Sequence, residues 1–214
     1  MYAMHCTRPD ISFSVDKLSK FTGNPSVNHW KVIDRVLGYL KKTISLGLFY
    51  YEFPTVLEGY SDASWITSVS DNKFTSGWIF TLGGDVISWV SKKQMCISHS
   101  TMESEFIALA AAGKEVEWLR NMLLDIEFWP QPILVILVYC DSEATLGRAY
   151  NKMYNDTSKH IGLRHDYIRQ FVESGTILIV YVRSNNNLAD HFTKVVSLDM
   201  VGVTSIGMRL KLFF

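Results

Sequence analysis

The chain has 214 residues, 48% hydrophobic and 20% charged, with 21 basic against 21 acidic side chains and a formal net charge of zero. That composition excludes a disordered chain, and the neutral balance excludes a global basic field, so any nucleic-acid contact must rest on local patches or on a larger polypeptide. No run is apolar enough to span a bilayer, the N-terminus lacks the apolar core of a signal peptide, and Cys6, Cys96 and Cys140 show no metal-binding spacing, which fits a reducing compartment.

In chain order, Pro9 to Phe21 alternates apolar and polar residues at helical spacing (Ile11, Val15, Leu18), and Asn24-Pro-Ser26 breaks the pattern. A second helix starts near Asn28, where Trp30, Ile33, Leu37 and Leu40 form one apolar stripe and Lys41 and Lys42 suit the last turn. Both helices read as packing segments. Leu48 to Tyr51 reads as a short lead-in strand, and Leu57 to Asp62 as the first strand of the main sheet. Thr75 to Leu82 and Val86 to Val90 flank Gly83-Gly84-Asp85, a hairpin signal, so three strands meander in antiparallel fashion.

Ser100 opens the longest helix, with Ser100 and Glu103 at capping-box spacing. Met102, Glu105, Leu109, Ala112, Val116 and Leu119 share one face, and Glu103 lies about 200° around the helix from Glu105 because each residue turns about 100°. Glu103 is therefore the capping acid, and Glu105 lies on the core-facing side. A carboxylate there is costly unless paired or metal-bound; a boundary position at the edge of the stripe is the competing explanation. After Pro130 and Pro132, Ile133 to Cys140 is a continuous apolar run that reads as a central strand covered on both faces. It ends at Asp141, where a helix begins. An acid there suits ligand binding at a strand's C-terminal end, and it also suits a helix N-cap. Lys159 to Val172 forms a further amphipathic helix, Thr176 to Val182 a strand, and Leu188 to Lys194 a short helix with Asp190 in its first turn, where the dipole favours an acid. The tail from Val195 is apolar and has no assigned place.

Asp62, Glu105, Asp141 and Asp190 all fall at the ends of core elements, where carboxylates distant in sequence can converge. Four converging acids need compensating positive charge, and their hard oxygens suit Mg²⁺ or Mn²⁺ better than Zn²⁺.

The order strand–strand–strand–helix–strand–helix–helix–strand–helix is that of the ribonuclease H fold. Ser61-Asp-Ala-Ser-Trp65, Thr75-Ser-Gly77, Ile87-Ser-Trp89 with Ser91-Lys-Lys-Gln94, Ser100-Thr-Met-Glu-Ser-Glu-Phe106, Trp118-Leu-Arg120, Cys140-Asp-Ser142, Lys159-His-Ile161 and Ala189-Asp-His-Phe-Thr-Lys194 together resemble the ribonuclease H domain at the C-terminal end of Ty1/copia-type retrotransposon polyproteins. Each motif alone is weak; the series, in order and at matching separations, carries the resemblance. Thr7-Arg-Pro-Asp-Ile11, Asn24-Pro25, His29-Trp30 and Tyr39-Leu-Lys-Lys42 resemble the end of the reverse transcriptase region in the same polyproteins. The polymerase's paired aspartates are absent.

The resemblance implies an α/β ribonuclease H-like fold: a mixed five-stranded sheet, three antiparallel strands then two parallel, flanked by helices and preceded by a helical segment. It divides the chain into a helical remnant at 1–46, the ribonuclease H-like domain at 47–194 and an atypical tail at 195–214. It implies that Asp62, Glu105, Asp141 and Asp190 hold two Mg²⁺ (or Mn²⁺) ions that direct hydrolysis of the RNA strand of an RNA–DNA hybrid. Expected partners are that hybrid and the reverse transcriptase region of a larger polyprotein, with no membrane. The expected location is intracellular, in a cytoplasmic virus-like particle or the nucleus. Lys92, Lys93, Ser100, Lys159 and His160 are candidates for touching nucleic acid. His160, His165 and His191 are candidates, by position only, for a mobile histidine that assists product release; a solvated helix face is the competing explanation. The rival function is a catalytically inactive transposon remnant that at most binds nucleic acid. A transposase or integrase relative fits less well, because those use three acids in another order.

Overall fold

The computed structural model describes residues 2–50, 54–64, 74–153, 159–194, 205 and 207–212, with the backbone alone at 159, 160 and 212. Its elements are α1 (Tyr2–Cys6), a 3₁₀ turn (Pro9–Ile11), α2 (Ser12–Ser19), α3 (Val27–Lys42), β1 (Leu46–Leu48), β2 (Leu57–Ser64), β3 (Thr75–Leu82), β4 (Asp85–Lys93), α4 (Thr101–Leu124), β5 (Ile136–Cys140), α5 (Glu143–Tyr150), α6 (Lys159–Glu173), β6 (Ile177–Tyr181), two 3₁₀ turns (Ser184–Asn186 and Leu188–Phe192) and β7 (Leu210–Leu212).

The main sheet has the strand order β4-β3-β2-β5-β6. The β2–β3 and β3–β4 pairs are antiparallel, while β2–β5 and β5–β6 are parallel. This is the expected ribonuclease H-like arrangement. The β3–β4 hairpin closes through Gly83 and Gly84, whose φ values of 60° and 91° lie in the left-handed region that glycine tolerates. The parallel connections run through helices, as parallel pairing requires.

One face of the sheet is covered by α4, α5 and α6, where Leu57, Phe80, Phe106, Leu109, Val116, Val138, Ile168 and Ile179 interlock. The other face is covered near β3 and β4 by a smaller cluster of Ile79, Val86, Trp89, Ala189, Phe192, Met208 and Leu210. β3 is buried on both sides for this reason, with Ile79 in one cluster and Phe80 in the other. β5 differs from the fully covered strand expected of its sequence. It begins at Ile136, alternates buried and half-buried residues, and leaves Leu134 and Val135 exposed before it. The second cluster does not extend across the sheet to β5 and β6, so one face of those strands keeps partial access to solvent.

The best-marked helix starts where expected, with Ser100 Oγ accepting from the Glu103 amide at 3.1 Å. The reciprocal half of the capping box is not made. Glu103 reaches one residue further back and accepts from the His99 amide at 2.6 Å, and it is itself buried. The helix is enclosed around most of its N-terminal half, so burial does not separate Glu103 from Glu105 as helical periodicity suggested. The short helix expected at Leu188 to Lys194 is a five-residue 3₁₀ turn capped by Asn187, whose Oδ1 accepts from the Ala189 amide.

The N-terminal segment is tied to the sheet by polar contacts. Trp89 Nε1 donates to the Met4 carbonyl at 2.6 Å, and buried His191 joins Nε2 to the Asp10 carbonyl at 3.0 Å. Arg8 and Asp10 form a buried ion pair at 2.6 Å, which Tyr39 and Thr43 extend to the end of α3. α3 itself buries no side chain, contrary to the expectation of a packing helix. Trp30 and Leu37 on its apolar stripe remain 56% and 58% exposed. β1 pairs antiparallel with β7, so the described part of the tail, which sequence left unplaced, closes over the second cluster. No described helix is long and apolar enough to cross a membrane.

The Arg8–Asp10 pair is shielded from water, with side-chain exposures of 8% and 0%. Asp10→Ala would strand a buried guanidinium and the Tyr39 hydroxyl. It is expected to lower the unfolding free energy by about 3–5 kcal/mol, the usual cost of removing one partner of a buried pair. Chemical denaturation would check this, and a change below about 1 kcal/mol would show that water reaches the pair.

Candidate functional site

The site begins with strand register. β2 and β5 run parallel and adjacent, and Ser61 stands opposite Cys140. The next residue on each chain is an aspartate. Asp62 and Asp141 therefore emerge side by side at the C-terminal ends of neighbouring strands, which lie about 4.8 Å apart. Asp141 is free for this role because Ser142 caps α5, its Oγ accepting from the Thr145 amide. That removes the helix-cap explanation for Asp141.

The third aspartate arrives on the 3₁₀ turn after β6. Asn187 ties the start of that turn to both strands, its Nδ2 donating to the Ser61 carbonyl at 3.0 Å and to Asp141 Oδ1 at 3.2 Å. Asp190 follows, and Thr193 closes the turn by donating from Oγ1 to the Asp62 carboxylate. Lys194 Nζ binds Asp190 and stands 3.9 Å from Asp62 Oδ1. Asp62, Asp141 and Asp190 can each offer an oxygen such that all three lie within 4.8 Å of one another.

Glu105 approaches from α4, and its Oε2 accepts from the Ala63 amide at 3.0 Å. It lies outside the closest group of oxygens but inside the same electrostatic environment. Burial pushes its carboxyl up to about 9, and the charges of Asp62 and Asp141 push the same way. Burial likewise raises Asp62 to about 6, although Lys194 and Thr193 pull it down. The Cys140 thiol beside them is pushed up to about 12, mainly by burial and further by Glu105, which disfavours the reactive thiolate.

Every candidate ligand atom in this cluster is a carboxylate oxygen, and among the described residues the cation in contact with it is Lys194. Such a set suits a hard divalent ion. Burial is the main reason that Asp62 and Glu105 are raised, with the neighbouring acids adding to it, and a bound cation would offset both effects. The residues therefore fit a divalent metal.

The close approach of the turn to the sheet depends on Gly77, the β3 residue paired with Asp62. A Cβ there would meet Phe192 Cβ at 2.7 Å, Thr193 Cγ2 at 2.8 Å and the Ala189 carbonyl oxygen at 3.1 Å. Gln94 has a comparable structural task. It is buried, and its Nε2 donates to Ser76 Oγ and to the Ser104 carbonyl, both at 2.8 Å, joining β3 to α4. Reading acids alone missed Asn187, Thr193, Lys194 and Gly77. All of them lie within or beside the motifs that carried the resemblance.

The remaining candidates divide. Lys92 and Lys93 extend β4 past the level of Asp62, at the same end of the sheet, and Lys92 is exposed. The Ser100 hydroxyl is engaged as the α4 cap. The side chains of Lys159 and His160 lie outside the described residues. His165 and His191 are both buried, which does not suit the solvated helix face expected as their alternative. His165 Nε2 lies 3.1 Å from the Arg148 carbonyl and 3.0 Å from that of Asn151. His191 is anchored to Asp10, and its pKa is lowered mainly by burial. Neither has the exposure that a mobile product-release histidine needs.

No protein-family model matches the chain. It is 38% identical over 196 residues to the retrovirus-related Pol polyprotein from transposon TNT 1-94 of Nicotiana tabacum, a match covering 92% of this chain and 14% of that protein. It is 43% identical over 120 residues to secreted RxLR effector protein 161 of Plasmopara viticola, covering 56% of this chain and 84% of that one. Among solved structures, RNase H1 from Halobacterium salinarum NRC-1 superposes with a TM-score of 0.47 at 15% identity, covering 64% of this chain and 93% of that one.

Gly77→Ala is expected to push the Asp190 turn off the sheet. Overpacking of this kind costs about 1–3 kcal/mol, measurable by denaturant unfolding. The displaced aspartate should also weaken binding of a divalent ion by titration calorimetry. Wild-type stability with wild-type metal binding would show that the turn adjusts without moving its acid.

Proposed function

The chain belongs to the retrovirus-related Pol polyproteins of plant copia-type transposons, and from that premise we propose that it is their ribonuclease H, hydrolysing the RNA strand of RNA–DNA hybrids with two Mg²⁺ or Mn²⁺ ions. A ribonuclease H-like, hydrolytic function follows from the family and from the sheet topology. The chain spans only 14% of the length of the TNT 1-94 polyprotein. The hybrid substrate, the metal identity and number, and association with a reverse transcriptase region are therefore inferences for this chain.

The observation that carries the reading is the convergence of Asp62, Asp141 and Asp190 within 4.8 Å. These three would hold the metal, with Glu105 alongside. A divalent ion there would polarise the phosphoryl group and lower the pKa of bound water. The chain's own residues set the geometry. Asn187 fixes the Asp141 carboxylate, the Ala63 amide fixes Glu105, and Thr193 fixes Asp62. These contacts hold the acids in place before substrate arrives, so little reorganisation remains for the reaction itself.

Substrate recognition would draw on the 2′-hydroxyls and groove shape of the hybrid more than on base sequence. Lys92 and Lys93 are placed to meet phosphates beside the acids. No global charge assists them, since the formal net charge is zero.

The test is cleavage of an end-labelled RNA–DNA hybrid by the purified chain, with Mg²⁺ or Mn²⁺ and with chelator. The expected result is metal-dependent cutting of the RNA strand alone. Asp62→Asn and Asp141→Asn should each reduce the rate by more than roughly 100-fold, beyond the loss that follows removal of a mere supporting partner. Equal cutting by Asp62→Asn would point to a contaminating nuclease, and no cutting by the folded protein would favour an inactive remnant.

A further inference from the structure

We propose that Lys194 is an internal counter-cation of the carboxylate cluster, holding the aspartates together in the absence of a divalent ion and competing with that ion for the same oxygens. The inference rests on the metal reading above and adds to it a competitor built into the chain.

Lys194 lies immediately after the 3₁₀ turn, four residues beyond Asp190. Its ammonium binds the Asp190 carboxylate and stands 3.9 Å from Asp62 Oδ1. Those residues are two of the three whose oxygens converge within 4.8 Å. Lysine carries a compact point charge with no fixed bonding plane, so it can serve two carboxylates at once.

Two features separate this contact from a fixed structural ion pair. The first is access. Asp62 has a side-chain exposure of 1%, whereas the Lys194 side chain is 40% exposed. It borders a cavity of about 380 Å³ formed with Phe13, Lys17, Phe21, His29 and Arg35, so it has room to withdraw. The second is its mounting. The preceding Thr193 is fully buried and bonds both Asp62 and the Asp190 carbonyl. The peptide that carries Lys194 is therefore fixed, and a rotation of its flexible stem suffices to move the charge without unpacking the core.

A divalent ion and an ammonium cannot share these oxygens without strong repulsion, because like charges at such separations repel strongly even in partly solvated surroundings. Binding of the ion must displace Lys194. The lysine would then weaken the intrinsic metal affinity while keeping the metal-free cluster from driving itself apart.

The test compares wild type, Lys194→Met and Lys194→Arg. Mn²⁺ is titrated into each purified chain by calorimetry without nucleic acid, and thermal unfolding is followed in chelator. Removing the charge should make Mn²⁺ bind roughly tenfold tighter, given the strength of a partly screened charge at this distance. The same variant should melt at a lower temperature than wild type in chelator. Lys194→Arg should stay near wild type on both measures. A merely structural lysine gives the opposite sign in the first measurement, because its loss would loosen the site and weaken Mn²⁺ binding. Unchanged or weaker binding by Lys194→Met overturns the proposal while leaving the metal reading intact. Absence of Mn²⁺ binding in every variant, wild type included, overturns both.

Discussion

Parallel pairing of β2 with β5 sets two aspartates next to each other at the ends of buried strands, and much of the molecule answers the resulting repulsion. Neither carboxylate can move away, because each directly follows a residue locked in the Ser61–Cys140 register. Like charges held this close repel one another. The surroundings supply donors one by one. The Ala63 amide meets Glu105, the Asn187 amide meets Asp141, the Thr193 hydroxyl meets Asp62, and Lys194 meets Asp190. Three of these four donors come from one short stretch after β6. That stretch is as much part of the site as the acids are.

The same stretch is also part of the hydrophobic core. Ala189 and Phe192 are fully buried in the cluster under β3 and β4, while Asp190 between them faces the other acids. A tight 3₁₀ turn can present neighbouring residues to opposite environments in this way. Its position is fixed from below by apolar packing and by the space that Gly77 leaves open. His191 extends the connection to the N-terminal segment through the Asp10 carbonyl. Asp10 in turn holds Arg8 and Tyr39. The N-terminal segment thus reaches the neighbourhood of the carboxylates through two hydrogen-bonded steps, although it supplies none of the acids.

What the sequence revealed and what it hid divide along local and non-local lines. The β3–β4 hairpin was legible because two glycines and the flanking alternation are local signals. The start of α4 was legible because Ser100 caps it in the ordinary way. All four acids could be named, since each ends or begins a recognisable element. The identity of the α5 cap could not be read, as Asp141 and Ser142 are both good cap residues and only the strand register removes Asp141 from contention. The exposed face of α3 was hidden for a related reason: an apolar stripe identifies a helix but not what covers it. The same applies to Leu134 and Val135, which look like strand core yet precede the strand and lie open. Asn187, Thr193 and Gly77 were silent because their importance depends on which strand lies beneath the turn, a fact set by contacts more than 100 residues apart in sequence for Asn187 and Thr193.

On the proposed function, a chain with zero net charge must address a polyanion, and its charge distribution bears on how. Without a divalent ion the acid cluster repels phosphate, and the lysines at the end of β4 act against that local field. On the metal reading, divalent cations offset the negative charge of the cluster and leave Lys92 and Lys93 to attract phosphate beside it. Metal and nucleic acid would then bind with positive coupling, each strengthening the other by the same factor, as linkage requires. In this arrangement the electrostatic attraction would arise beside the carboxylate cluster and would not be spread over the surface. That would suit a segment matching only 14% of the TNT 1-94 polyprotein's length, since grip on a nucleic acid would then not rest on this segment alone.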